Sequence, residues 1–112
     1  MKVIYIASAY TVGDVAANVA VQMEAAHRIM DMEHCPIAPL LSHFLHLYQQ
    51  RPYQDWINVD LELIKRCDIV LRLPGVSSGA DGEVQLALQC NIPVCYGWSK
   101  LEALLDEQES FE

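Results

Sequence analysis

The sequence predicts an α/β fold: a doubly wound parallel sheet of about four to five strands, covered by helices on both faces in three α/β/α layers. Two observations predict it. Short apolar runs alternate along the chain with amphipathic helical stretches, and most of these runs are continuously apolar. Continuous runs are typical of parallel strands that are buried on both faces. With 112 residues, 53% of them hydrophobic, the chain is expected to form one globular domain over residues 1–112.

Apolar runs predict four strands, and the stretches of helical periodicity between and after them predict four helices. The predicted strands are Val3–Ala7, Cys35–Ala38, Asp68–Leu73 and Ile92–Tyr96. The predicted helices are Val15–Met32, Asp55–Cys67, Gly79–Cys90 and Lys100–Glu107. Residues 40–54 are the least readable part of the chain and receive no assignment.

The first helix has clear signals at its start and along one face. Asp14 precedes it and is a suitable N-cap, because its carboxylate can accept a hydrogen bond from a free N–H group of the first turn. The buried face is predicted from apolar residues at helical spacing, which are Val19, Met23, Ala26 and Met30.

Three loops follow the first three predicted strands. Their sequences are SAYTVGD, PLLSHF and PGVSSGADGE. In open parallel sheets, ligands bind in the crevice beyond the carboxyl ends of the strands. The sequence therefore predicts a binding site formed by these loops.

Charge and the first residues exclude several classes of function. A net charge of −8 argues against binding to a nucleic acid polymer, since such proteins need basic patches. A small phosphorylated ligand stays compatible, because a few backbone N–H groups can hold one phosphate. The opening residues MKVIYIASAY contain an apolar run too short for a signal peptide or a membrane span. No membrane partner is expected.

The four cysteines form neither a CxxC pair nor a zinc-ligand spacing, and each lies in or beside an apolar run. They are expected to be free thiols that pack as small hydrophobes in a reducing cytoplasm. His43 and His46 are three residues apart with no third ligand in view, so a metal site is not predicted. Neither GxGxxG nor GxxxxGK[ST] occurs, and no cofactor is predicted.

Glu83 lies where the third loop becomes a helix, and it has two interpretations. An acid in the first turn of a helix is stabilised by the macrodipole and can take part in capping. Alternatively, the same field keeps the carboxylate ionised and directs it into the crevice, as a carboxylate nucleophile requires.

Asp60 also has two interpretations. Its neighbours at helical spacing are apolar: Trp56, Leu63, Ile64 and Cys67. This spacing places the acid within the apolar stripe, where a carboxylate needs a hydrogen-bond donor or a chemical role. The alternative is a position at the edge of the stripe, exposed to water.

Other polar residues of the strands and loops are weaker candidates. Tyr5 lies in the first strand, where a tyrosine is more often a core residue than a catalytic one. Ser77, Ser78 and Gly79 could form a small anion-binding nest at the helix start, although serines in turns are usually turn formers.

Three segments taken together resemble the nucleoside 2-deoxyribosyltransferase-like family. They are IYIASAYT, WINVDLELIKRCDIVLRLPG and SSGADGEVQLAL…NIPV, and they span roughly residues 3 to 96. The family includes deoxynucleoside 5′-monophosphate N-glycosidases and small bacterial and phage proteins. The resemblance implies a Rossmann-like (flavodoxin-like) sheet and cleavage of the bond between a nucleobase and deoxyribose.

The resemblance also implies roles for single residues. Glu83 corresponds to the nucleophile that attacks C1′ and forms a glycosyl-enzyme ester. Asp60 corresponds to an aspartate that contacts the sugar or the base, and Tyr5 to a tyrosine that orients the nucleophile. The remaining expected substrate contacts come from the loops: Ser8, Tyr10, His43, Ser77, Ser78 and Gly79.

Two parts of the sequence bear on a substrate phosphate, one that differs from the transferases and one that differs from the hydrolases. Ser77 stands where the monophosphate hydrolases carry a serine and the transferases an aspartate, which favours a phosphate-bearing substrate. Ala9 and Thr11 replace the serine and arginine of the hydrolases' first loop. Arg51 and Arg72 could supply the missing positive charge.

The reaction implied is therefore cleavage of a nucleoside or a nucleoside 5′-monophosphate, with the sugar passed to water or to another base. A non-catalytic nucleotide-binding module and a phosphoribohydrolase with ribose specificity are the alternatives. A homodimer or larger homo-oligomer is expected, because Phe44, Tyr53 and Trp56 would otherwise leave an apolar patch exposed.

Overall fold

The computed structural model describes residues 1–109. Within this range four strands form one parallel sheet: β1 (Val3–Ala7), β2 (Cys35–Ile37), β3 (Ile69–Arg72) and β4 (Val94–Tyr96). The helices are α1 (Val15–Asp31), α2 (Ser42–Tyr48), α3 (Tyr53–Arg66), α4 (Ser78–Gln89) and α5 (Trp98–Glu109). A 3₁₀ turn at Pro39–Leu41 precedes α2. The predicted α/β fold is confirmed.

The strand order is β2-β1-β3-β4. The chain runs from β1 to one edge of the sheet and then crosses to the other side of β1. The strand order therefore reverses between β1 and β3, and open α/β sheets bind their ligands at the carboxyl end of such a reversal.

Each face of the sheet has its own hydrophobic core. On one face, Ile4 and Ile6 of β1 pack with residues of α1 and α5. On the other face, Tyr5 and Ala7 pack with residues of α3 and α4. Because successive side chains of a strand point to opposite faces, β1 contributes to both cores and is buried on both sides.

The start of α1 was predicted correctly, but its buried face was not. Asp14 is the N-cap, and its Oδ1 accepts a hydrogen bond of 3.0 Å from the Ala17 N–H. The buried residues are Val19, Gln22, Ala25 and Ile29 rather than Val19, Met23, Ala26 and Met30. The predicted stripe was rotated because it avoided the polar Gln22, which finds hydrogen-bond partners in the core.

The segment without a prediction contains the 3₁₀ turn and α2. No residue of α2 is buried, so its formation depends little on an apolar face. All four cysteines are free thiols, as expected, but Cys90 is exposed rather than packed. No helix within residues 1–109 is both long and apolar enough to cross a membrane.

Candidate active site

A cavity of about 650 Å³ lies at the carboxyl ends of β1 and β3, where the three predicted loops meet. This volume is within the range of small-molecule sites. It is lined by all but one of the expected catalytic and substrate-contact residues. These are Ser8, Tyr10, His43, Asp60, Ser77, Ser78, Gly79 and Glu83.

Glu83 is not at the start of its helix. Helix α4 begins at Ser78, so Glu83 lies in the second turn, and the expected capping role is wrong. Ser77 is the N-cap, with its hydroxyl accepting a hydrogen bond of 3.1 Å from the Ala80 N–H. The acid in the first turn is Asp81. The carboxylate of Glu83 therefore does not cap the helix, and it lines the cavity instead.

Tyr5 is the remaining candidate, and it lies behind the cavity wall. Its side chain is fully buried in the core between the sheet and helices α3 and α4. Its hydroxyl donates a hydrogen bond to Oε2 of Glu83. Burial, and next the negative charge of Glu83, raises the pKa of Tyr5 far above its usual value. Tyr5 therefore stays a neutral donor that fixes one carboxylate oxygen.

Burial also changes the ionisation of Glu83. It raises the pKa of Glu83 to about 7, against the opposing effects of the Tyr5 hydrogen bond and of Arg72. The expectation that the helix field keeps this group fully ionised is therefore wrong: desolvation outweighs it. Near neutral pH both the acid and the carboxylate are populated.

Asp60 lies between its two predicted environments. It is half-buried on α3 and lines the cavity, while Ile64 and Cys67 of the same helix are buried in the core. Burial raises the pKa of Asp60 to about 6. The negative charge of Asp60 in turn contributes to the raised pKa of Glu83. Two carboxyl groups with raised pKa values thus share one cavity, a pattern typical of functional sites.

The first loop and helices α2 and α3 supply aromatic and imidazole groups to the cavity. The Tyr10 hydroxyl lies 2.7 Å from Nδ1 of His43. Nδ1 of His46 accepts a hydrogen bond of 2.9 Å from the Trp56 indole N–H and a longer one, 3.3 Å, from the Arg51 N–H. Since both groups can only donate, Nδ1 of His46 carries a lone pair. The first of these contacts joins the first loop to α2, and the bond between His46 and Trp56 joins α2 to α3.

The two arginines proposed as sources of positive charge have different positions. Arg51 lines the cavity and forms an exposed ion pair with Asp55 at 3.6 Å. Arg72 is buried, and its guanidinium donates to the carbonyl oxygens of Leu73 and Gly75 and to Asp81. Arg72 borders a separate cleft and is not among the residues that line the main cavity.

Sequence reasoning missed Gln22, a buried polar residue that lines this site. Its side chain is fully buried, and it joins α1 to Ile6 of β1 and to Leu40 of the second loop by hydrogen bonds. The available signal was its position, because it lies at helical spacing between the apolar residues Val19 and Ala25. Within residues 1–109, no three His, Cys, Asp or Glu side chains form a group that could hold a metal ion.

Residues 2–97 match a family model described as a domain of unknown function, DUF7768. The chain belongs to this family. No curated protein sequence matches it significantly. The match contains all four strands and every residue that lines the cavity, so the site lies within the DUF7768 domain.

Two solved structures show which fold this DUF7768 chain has. A 2-deoxyribosyltransferase from the psychrotolerant bacterium Bacillus psychrosaccharolyticus is similar with a TM-score of 0.64 and 21% identity, over 82% of this chain and 69% of the other. A 2-deoxyribosyltransferase from Leishmania mexicana is similar with a TM-score of 0.65 and 17% identity, over 84% and 62%. The nucleoside 2-deoxyribosyltransferase-like fold implied by the sequence resemblance is thus confirmed.

Proposed function

We propose that this protein cleaves the N-glycosidic bond of a (deoxy)nucleoside or its 5′-monophosphate through a covalent glycosyl-enzyme on Glu83. The observation that carries the proposal is the pairing of Tyr5 with Glu83 at the wall of the cavity. Support also comes from the fold, which this chain shares with two 2-deoxyribosyltransferases. At 21% and 17% identity, that support is for the fold alone.

In the first step, a carboxylate oxygen of Glu83 attacks C1′ of the sugar. The bond between C1′ and the base nitrogen breaks, its electron pair leaves with the base, and Asp60 supplies a proton to that base. The protonated form of Asp60 is favoured by the burial that raises its pKa to about 6. The product is an ester between the sugar and Glu83.

In the second step, water or another base attacks C1′ and the ester bond breaks. Glu83 leaves as a carboxylate, and the ionised Asp60 accepts the proton of the attacking group. Tyr5 holds Oε2 of Glu83 throughout, so the other oxygen, Oε1, is the one that forms the ester. Two inversions at C1′ give net retention of configuration.

The direct test is incubation with a panel of nucleosides, deoxynucleosides and their 5′-monophosphates, with free base followed by chromatography. We expect base release by the wild type and none by Glu83→Ala. Glu102→Gln removes an exposed carboxylate on α5 and is the control, with an unchanged rate. A Glu83→Ala variant that is folded and active would refute the nucleophile. A wild type that binds a panel member without turnover would indicate a binding module.

We also propose that the 5′-monophosphate is the better substrate. Ser78 and Gly79 line the cavity at the start of α4, and Arg51 also lines it. The Ser77 hydroxyl already accepts the Ala80 N–H, so Ser78→Ala is the cleaner variant. A hydrogen bond to a charged group accounts for roughly tenfold or more in kcat/KM. Equal rates for a nucleoside and its monophosphate would exclude a phosphate site.

We further propose a homo-oligomer, based on an exposed apolar surface beside the cavity. Helix α2 buries no side chain, and Phe44 and Tyr53 are 54% and 72% exposed. Trp56 is less exposed than expected, because its indole packs against His46. A patch of this kind on a small domain is typical of an association surface. Light scattering tests the proposal, and a monomer at micromolar concentration would contradict it.

A further inference from the structure

Gln22 is a polar side chain at the centre of an apolar helix face. It is 0% exposed, on the side of α1 that packs against the sheet. Burying an amide without hydrogen bonds is unfavourable, so its contacts matter more than its position. It has three: with the Leu40 N–H at 2.8 Å, the Ile6 carbonyl at 3.2 Å and Ser8 Oγ at 2.8 Å.

These three partners determine which way the amide group points. The Leu40 N–H can only donate, so it must face the side-chain oxygen of Gln22. The Ile6 carbonyl can only accept, so it must face the side-chain nitrogen. The second N–H of that nitrogen is then directed at Ser8.

The direction of the Gln22–Ser8 hydrogen bond determines what Ser8 can offer. Its oxygen accepts from Gln22, so its own hydrogen is available to a third atom. Ser8 is 8% exposed, and it lines the cavity. Its hydroxyl is therefore a nearly buried donor that needs an acceptor from whatever occupies the cavity.

We propose that Gln22 is a positioning residue that makes the Ser8 hydroxyl a hydrogen-bond donor to an oxygen of the bound nucleoside or nucleotide. Through Leu40 the same side chain ties the 3₁₀ turn Pro39–Leu41, which forms part of the cavity wall, to the end of β1. This inference rests on the proposed function for the identity of the ligand. It adds a substrate contact, the Ser8 hydroxyl, whose hydrogen is directed by the fully buried Gln22.

A double-mutant cycle with Gln22→Met and Ser8→Ala tests the proposal. Each single variant is expected to raise KM about fivefold to tenfold with kcat within about twofold, because a ground-state contact is lost. In the Ser8→Ala background, Gln22→Met is expected to raise KM by about twofold at most. Gln85→Met, on the exposed side of α4, is the control and leaves KM unchanged.

Equal losses from Gln22→Met in both backgrounds would overturn the proposal, because a purely structural glutamine does not act through Ser8. An unchanged KM in Ser8→Ala would overturn it as well. If Gln22→Met does not fold, Gln22→Asn replaces it, since the shorter amide cannot reach both Leu40 and Ser8.

Failure of the proposed function has a different signature. A wild type that releases no base from any panel member overturns the reaction and not the role of Gln22. The double-mutant cycle is then measured through the Kd of a deoxynucleoside 5′-monophosphate, by titration calorimetry. Gln22→Met is again expected to weaken binding much less in the Ser8→Ala background than in the wild type. A wild type that binds no nucleoside or nucleotide overturns both.

Discussion

The two faces of the sheet are built from the same strands but contain different chemistry. The face covered by α1 and α5, here called the α1–α5 face, buries apolar residues such as Ile4, Ile6, Ile69 and Leu71 together with one uncharged polar side chain, Gln22. The face covered by α3 and α4, the α3–α4 face, contains Tyr5, whose hydroxyl meets the carboxylate of Glu83. Burial on this face raises the pKa values of Glu83 and Asp60.

This difference shows how one buried strand can serve stability and chemistry at once. Successive residues of β1 alternate between the faces, so Ile6 packs in one core while Tyr5, its neighbour, contacts Glu83 on the other face. The apolar surroundings of the α3–α4 face make ionisation of its carboxyl groups unfavourable. The α1–α5 face is then expected to supply the stability that offsets this. Variants on the two faces should therefore separate activity from stability.

The largest effect is expected from Glu83→Gln on the α3–α4 face. Base release should fall on the order of 10³-fold or more, because the nucleophile is lost. Stability should rise at the same time. A raised pKa means that the protonated form is favoured in the folded state, and that this stabilisation is lost as pH rises through about 7.

The neutral amide cannot lose this stabilisation, so above pH 7 Glu83→Gln is expected to be more stable by roughly 1–3 kcal/mol. Below about pH 4.5, the ordinary pKa of Glu83, the difference should disappear. Denaturant unfolding at pH 8 and pH 4 measures both. A variant that is less stable at pH 8 would contradict the role of burial on this face.

Asp60→Asn should have the second largest effect, lowering kcat about 10²-fold, the usual scale for a positioned proton donor. The wild-type profile of kcat/KM against pH should be bell-shaped, with limbs near 6 and 7. The variant should lose the decline on the alkaline side, since no proton donor remains to titrate. Its one remaining limb should be the ionisation of Glu83, at a pH below about 7 because the charge of Asp60 that helped to raise this pKa is gone.

Glu62→Gln is the matched control for Asp60→Asn, since it removes an exposed acid from the same helix. It should leave the profile unchanged. Asp60→Asn should cost little stability, because the change relieves desolvation. A large loss of stability with normal turnover would make Asp60 a structural residue of the α3–α4 face.

Tyr5→Phe should reduce kcat/KM near neutral pH by roughly tenfold, a smaller effect than loss of either acid. The hydrogen bond from Tyr5 lowers the pKa of Glu83, so its removal should raise that pKa further. The limb near 7 should therefore move to higher pH, and the loss relative to the wild type should shrink in alkaline buffer. A uniform loss at every pH would indicate that Tyr5 acts on the substrate rather than through Glu83.

Ile6→Val on the α1–α5 face should have the smallest effect on catalysis, with kcat within about twofold of the wild type. It should destabilise the fold by roughly 0.5–1.5 kcal/mol, because one buried methylene is lost. Denaturant unfolding and initial rates on the same sample measure both quantities. A loss of turnover larger than the loss of folded protein would show that the two faces are not independent.

Strong local signals made much of the fold predictable from the sequence. The residues of β1 were predicted without error, because a fully buried parallel strand is continuously apolar. Asp14 was predicted as an N-cap for a similarly local reason, since cap and helix start adjoin in the sequence. The crevice followed from the alternation of strands and loops.

The errors arose where the deciding contact joins distant parts of the chain. The sequence pattern predicts a helix start next to Glu83, but Ser77 caps α4 and the partner of Glu83 is Tyr5 in another element. Gln22 was passed over because its partners Ser8 and Leu40 lie outside its helix. The exposed helix α2 had no apolar periodicity to identify it.

The central claim is that Glu83 forms a covalent bond with C1′, and the stereochemistry of the product tests it most directly. A β-linked deoxynucleoside or its 5′-monophosphate, whichever the panel selects, is incubated with the wild type in water containing methanol, and the methyl deoxyriboside is identified by proton NMR. A double displacement through Glu83 predicts the β anomer, with configuration retained. The α anomer would mean a single displacement without an ester on Glu83, and would contradict the account.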